Sequence, residues 1–226
     1  MAKKALPTRE RMIIDGKEYR RVTEIIDALG FNRAALMGWA NWLGTQGKSH
    51  KAESREAADL GTELHKWIER YWRKEAQPVE DAFTTDKERK AAAMFEPWKK
   101  WRKENLTPIE ILHIEHRFRC DQTFITGSPD LIARTKQHGI AVFDWKTSSD
   151  GKPKPEHWIQ QGGYSVLIEQ AGIAQERAVL VVVNKKTKKV EQFAKTMEQL
   201  QPWRELFWAA FHVVEAGEKV GLEVER

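Results

Sequence analysis

Apolar and polar positions follow two different periods in the two parts of this chain. Up to about residue 105 the apolar residues recur every three or four positions, the spacing of amphipathic helices. A small hairpin precedes them, Arg11 to Arg21, with Asp15-Gly16 as its turn. Thr23 is placed to cap a short helix ending near Gly30. A second helix covers Asn32 to Leu43, with Trp39 and Trp42 on one side, and the polar stretch Gly44 to Ser49 is a loop. Longer helices follow over Ala52 to about Glu75, with Pro78 beyond its end, and over Asp86 to Glu104, bent at Pro97.

Strand patterns then take over. They predict strands at Ile109 to Arg119, Phe124 to Arg134 and Ile140 to Lys146, the last two joined by a polar turn, Thr135 to Gly139. Gly151, Pro153 and Pro155 mark a loop, and a helix from Glu156 to Gln170 comes next. A buried strand, Ala178 to Val183, leads through the basic turn Asn184 to Lys189 into a strand ending near Lys195. An amphipathic helix, Met197 to Glu215, closes the pattern. The order predicts an α/β fold with a mixed central sheet flanked by helices. With no repeat or linker, residues 1–226 read as one domain: a mostly helical elaboration over 1–105 and a sheet core over 106–226.

The chemistry concentrates in the paired strands. Asp130 and Asp144 lie equally far either side of Gln137, so a hairpin centred there sets them opposite each other. Opposed Cβ atoms are about 4.5–5.5 Å apart, and two carboxylates that close repel. A divalent cation between them removes the penalty. Their neighbours Leu131, Ile132, Val142 and Phe143 are apolar, so the acids interrupt strands that otherwise look buried. Lys146 falls on the same strand face as Asp144, whereas the Trp145 side chain points to the opposite face and into the core. Two acids and an ammonium suit metal-assisted phosphodiester hydrolysis, with oxygen ligands and a cation near the developing charge.

Gly127-Ser128-Pro129-Asp130 and Asp144-Trp145-Lys146 resemble the signature of the PD-(D/E)XK nuclease superfamily. Gly61-Thr62-Glu63-Leu64-His65 is similar to the Gly-x-x-x-His helix motif of its RecB-like branch, and Gln160-Gln161-Gly162-Gly163-Tyr164 to the Gln-x-x-x-Tyr motif. The four elements stand in the expected order over roughly half the chain. The resemblance implies a restriction-endonuclease-like core and a Mg²⁺- or Mn²⁺-dependent deoxyribonuclease, an exonuclease acting from DNA ends in recombination, repair or replication. It implies Asp130, Asp144, His65 and the main-chain carbonyl of Trp145 as metal ligands, Lys146 as the catalytic lysine, and Gln160 with Tyr164 as substrate-positioning groups. A histidine ligand tilts such a site toward manganese.

Several residues keep two readings. If the turn between the first two strands centres on Asp121-Gln122, Glu115 pairs with Ser128 and shares a face with Lys146, as a further ligand or a lysine partner. Gly162-Gly163 weakens its helix by about 1 kcal/mol per glycine, which close approach to the sheet or to a nucleic acid backbone would explain. His113 and His116 take opposite orientations on a strand, and His50, His138, His157 and His212 give no pattern. The ten tryptophans are core residues by default, with base stacking as the other reading. Lys185 and Lys186 are either a solvated turn or a phosphate grip.

Charge and cysteine content narrow the class. Lys and Arg number 38 against 33 acids, a net +5 that permits a polyanionic partner without demanding one. Cys120 is alone, so neither an internal disulfide nor a four-cysteine iron–sulfur cluster of the kind some RecB-like nucleases carry is expected, and no cysteine–histidine zinc site either. No apolar run reaches a membrane span, and the expectation is a cytoplasmic protein whose partner is single- or double-stranded DNA, with a recombination or replication protein as a further partner. Two alternatives stay open: a structure-selective endonuclease on the same site, and a non-catalytic nucleic-acid-binding or anti-defence protein that keeps the fold.

Overall fold

A computed structural model describes residues 11–27, 33–77 and 83–221. It opens with β1 (Met12–Ile14) and β2 (Lys17–Arg21), the expected hairpin, turning at Asp15 and Gly16 with φ of 52° and 74°. Helix α1 (Val22–Asp27) starts one residue before the expected cap, Thr23. Glu24 does the capping instead, its carboxylate accepting the Arg21 N–H at 3.0 Å. The expected boundaries at Gly30 and Asn32, and Pro78, lie outside the described residues. Helix α2 (Arg33–Thr45) precedes α3 (His50–Trp72), and α4 (Asp86–Asn105) remains helical through Pro97. Thr85 and Glu88 close a reciprocal cap at the start of α4.

The strand region differs from the simple meander in one decisive respect. Each of the first two expected strands is cut in two, and the halves join different sheets. The first becomes β3 (Pro108–Ile114) and β4 (Phe118–Cys120); the second becomes β5 (Ile125–Gly127) and β6 (Leu131–Thr135). β7 (Gly139–Ser148), α5 (Pro155–Gln170), β8 (Arg177–Asn184), β9 (Val190–Thr196) and α6 (Met197–Lys219) follow. A five-stranded mixed sheet has the order β3-β6-β7-β8-β9, and a four-stranded mixed sheet the order β1-β2-β5-β4. Two sheets thus replace the single one expected, in an α/β arrangement of the restriction-endonuclease type.

The larger sheet is covered on both faces. Leu131, Ala133, Phe143 and Trp145 pack under α3 and α4, where Leu64, Trp67, Ile68, Phe95 and Trp98 form the apolar stripes. Trp98 meets Trp145 edge to face at 5.5 Å. Ile132 and Val142 face the opposite way, toward α5, α6 and α1. The core reading holds for Trp67, Trp72, Trp98, Trp101, Trp145 and Trp158, whereas Trp42 is exposed. β7 and β8 run parallel with α5 as their crossover, and Val179–Val183 is buried on both faces, as a central parallel strand requires. Cys120 is a buried free thiol. No helix among the described residues is long and apolar enough to cross a membrane.

Candidate functional site

The β6–β7 hairpin has the register its sequence predicts. Leu131 pairs with Phe143 and Thr135 with Gly139, and one further step brings Asp130 opposite Asp144. β6 has ended at that step, so the edge of β7 is open. The Trp145 N–H donates into the gap and is accepted by Asp130 Oδ2 at 2.6 Å. In an extended strand the N–H and C=O of one residue point to the same edge, so the Trp145 carbonyl lies on that open edge too. Asp144 is buried beside Lys146, its Oδ2 in an ion pair 2.7 Å from Nζ.

Glu115 reaches the site by a route the sequence did not indicate. The β4–β5 register pairs Phe118 with Gly127, two residues off the expected one, and with Ile114 opposite Leu131 beyond the break this sets Glu115 opposite Asp130 rather than Ser128. Glu115 sits in the break at φ 48°, and its N–H donates to the Asp130 carbonyl at 3.0 Å. The same break lets the rings of His113 and His116 meet at 4.7 Å against Phe118, rather than diverge. From the other side of the sheet, α3 extends His65 over the end of β6, its Nδ1 3.4 Å from Asp130 Oδ1. A Cβ on Gly61, one turn earlier, would stand 3.5 Å from Thr147 Oγ1, an ordinary contact distance.

One ligand atom each from His65, Glu115 and Asp130 lies within 4.8 Å of the others. Asp144 stands outside that trio, held by Lys146. The ionisation of the cluster reflects crowding. Burial pushes the Glu115 carboxyl up, the Asp130 charge adds to it, and it reaches about 8. Burial also raises Asp144, to about 6, against the pull of Lys146. For Asp130 burial acts in the same direction, but the charge and hydrogen bond of His65 outweigh it and the carboxyl is lowered. Burial would lower His65; Asp130 overrides it and holds the imidazole at about 9. Three acids in this volume cannot all ionise cheaply, so protons stay on the cluster. A divalent cation would take their place, and crowded carboxylates beside the His65 nitrogen are a donor set that fits one.

Gln160 and Tyr164 sit one helical turn apart on α5, the amide donating to the phenol oxygen at 2.7 Å. Burial raises the Tyr164 hydroxyl well above its usual range, and the Asp144 and Asp130 charges add to that rise. The ring packs on Gly127, where a Cβ would come within 2.8 Å of Cε1; this gives the glycine of the Gly-Ser-Pro-Asp run a steric role. Gly162 and Gly163 have another use than approach to the sheet. A Cβ on Gly162 would strike the Trp203 backbone of α6 at 2.7 Å, and one on Gly163 would strike Phe207 and Val22. Lys185 is half-buried after β8, whereas Lys186 is exposed, its N–H tied to Asn184 Oδ1. Lys154 and His157 were given no role by the sequence, and His157 lies in the field of Lys146 and Lys154. Their signal was positional: they open the helix that directly follows β7, the strand of Asp144 and Lys146.

Fold and acid–lysine cluster together define a nuclease-type α/β protein. A model of the PD-(D/E)XK nuclease superfamily matches residues 40–222, and the chain belongs to that superfamily. No curated protein matches the sequence. Among solved structures it is similar to SSO0001 at 15% identity and TM-score 0.41, over 89% of this chain and 79% of that one. A protein from Eubacterium rectale with a provisional exonuclease designation matches at 9% identity and TM-score 0.48, over 70% and 68%. LHK-Exo, solved in complex with dAMP, matches at 12% identity and TM-score 0.35, over 73% and 90%.

Proposed function

We propose that the chain is a Mg²⁺- or Mn²⁺-dependent deoxyribonuclease that degrades DNA from its ends, in recombination, repair or replication. The observation that carries this reading is the convergence of Asp130, Asp144 and Lys146 at the open edge of β7, with His65 and Glu115 against Asp130. Asp130, Asp144, His65, Glu115 and the Trp145 carbonyl would hold the metal. When bound, the metal supplies a Lewis acid at the scissile phosphate and raises the nucleophilicity of water. Lys146, paired with Asp144 in this structure, would place its ammonium against charge developing on the phosphoryl oxygens. Gln160 and Tyr164 fix the strand through one amide and one hydroxyl. Helix α3, which carries His65 over the sheet edge, narrows the approach in favour of a free strand.

End-labelled single- and double-stranded DNA incubated with Mn²⁺ tests the reading, with Lys146→Ala as the comparison. Progressive shortening by the wild type and none by the variant is expected. Rapid cutting of closed circular single-stranded DNA would rule out end dependence. Tight binding without cleavage in Mn²⁺ would rule out the enzyme.

A further inference from the structure

A ring of contacts runs around the ligand cluster and closes on one arginine. His65, Glu69 and Arg73 follow at intervals of four along one side of α3, with Arg73 at its carboxyl end. The Arg73 Nε–H donates to Glu69 Oε1 at 2.9 Å, and a terminal guanidinium N–H donates to the Ile114 carbonyl at 3.2 Å. Ile114 ends β3, and Glu115 is the next residue, its N–H on the Asp130 carbonyl at 3.0 Å. His65 Nδ1, 3.4 Å from Asp130 Oδ1, completes the circuit back to α3.

Glu115 needs such a hold. β3 is the edge of the larger sheet, and its register against β6 shifts twice, so the ladder leading to Glu115 is irregular. At φ 48° Glu115 stands in the left-handed region, which a glutamate adopts only where its surroundings impose it. The Ile114 carbonyl and the Glu115 N–H belong to one planar peptide group. Arg73 holds its oxygen and Asp130 its hydrogen, so both ends of the plane from which Glu115 departs are fixed. A guanidinium suits the task, because its rigid fork can serve a carboxylate and a carbonyl together. The Glu69 charge also acts on Glu115, and its pairing with Arg73 offsets it. Arg73 is 40% exposed and an arginine is no metal ligand, so its effect on a metal passes through the peptide group it holds.

We propose that Arg73, anchored by Glu69, is a positioning residue that clamps the Ile114–Glu115 peptide group and so aims the Glu115 carboxylate at the metal. This role rests on the nuclease reading, but its readout is metal binding rather than cleavage. Wild type, Arg73→Met, Arg73→Lys, Glu115→Gln, the Arg73→Met/Glu115→Gln double variant and Arg70→Met, exposed on the same helix, would be titrated calorimetrically with Mn²⁺ alone. Arg73→Met should bind Mn²⁺ about tenfold more weakly, the lower end for losing a group that orients a ligand. Arg73→Lys keeps a cation able to donate to the carbonyl and should recover part of that loss, and Arg70→Met should match wild type. In the Glu115→Gln background Arg73→Met should cost nothing further, because no carboxylate is left to aim. A merely structural role would add the same loss to both backgrounds. Thermal unfolding in chelator should show every variant folded. Mn²⁺ affinity in Arg73→Met equal to wild type, or the full tenfold loss on top of Glu115→Gln, would overturn the clamp. The expected pattern in a wild type that never cleaves DNA in Mn²⁺ would instead sink the nuclease reading and leave the clamp standing. A wild type that takes up no Mn²⁺ would overturn both.

Discussion

The Trp145 N–H donates to Asp130 Oδ2 at 2.6 Å, so an acid side chain continues the ladder where strand β6 has stopped. Asp130 is therefore both a ligand candidate and a structural acceptor. Asp130→Ala strands a buried N–H, a cost of about 1–3 kcal/mol, whereas Asp130→Asn keeps an acceptor and loses only charge. Urea unfolding should rank Ala below Asn, with both variants inactive on DNA. Equal stabilities would mean that Trp145 finds another acceptor.

Lys146 is the cation nearest the buried Asp144 in the metal-free protein. Lys146→Met should remain folded, because Asp144 can take up a proton in response. Its DNA cleavage should fall about 10²–10³-fold, the scale of losing one positioned donor to transition-state charge. Retention of Mn²⁺-induced thermal stabilisation in the same variant would separate that role from metal binding.

The metal-free protein should lose stability as pH rises from 6.5 to about 9. His65, normally near 6.5, is held at about 9 in the fold, so its contribution is complete below 6.5 and lost toward 9. Glu115, raised from 4.5 to about 8, acts in the same direction, since the folded state keeps a proton that the unfolded chain has released. Mn²⁺ displaces both protons, so its stabilising effect should grow across this range. Thermal melts in chelator and in Mn²⁺ at several pH values read this directly. A chelated protein that gains stability across the window would contradict the assigned cluster.

Two helix glycines should respond oppositely to alanine. At Gly162 the added Cβ meets the Trp203 backbone at 2.7 Å, and Gly162→Ala should cost about 1–3 kcal/mol. At Gly61 the nearest atom is Thr147 Oγ1 at 3.5 Å, so Gly61→Ala should gain up to about 1 kcal/mol of helix stability. Denaturant midpoints compare the two. Impaired cleavage in a stabilised Gly61→Ala would place substrate against that face of α3.

Where strand reading succeeded and failed follows from local chemistry. The β6–β7 register was legible because a polar turn ending in Gly139 joins two apolar strands, and a slip of one residue would expose both core faces. The breaks at Glu115 and at Ser128-Pro129 were harder to see. Pro129 lacks an N–H for a ladder, a usable warning against one continuous strand. Nothing in the residue type of Glu115 announces a positive φ, and that conformation depends on its N–H finding the Asp130 carbonyl.

Alone, the sequence determined the order of elements, the face-to-face placement of Asp130 and Asp144, and the share of that face taken by Lys146. Period and turn chemistry operate over a few neighbouring residues and need no partner from elsewhere. Tertiary structure decided that two sheets form and that His65 and Glu115 close on Asp130. Those meetings depend on helix packing and strand breaks between segments distant in the chain, and local pattern carries no information about such long-range contacts.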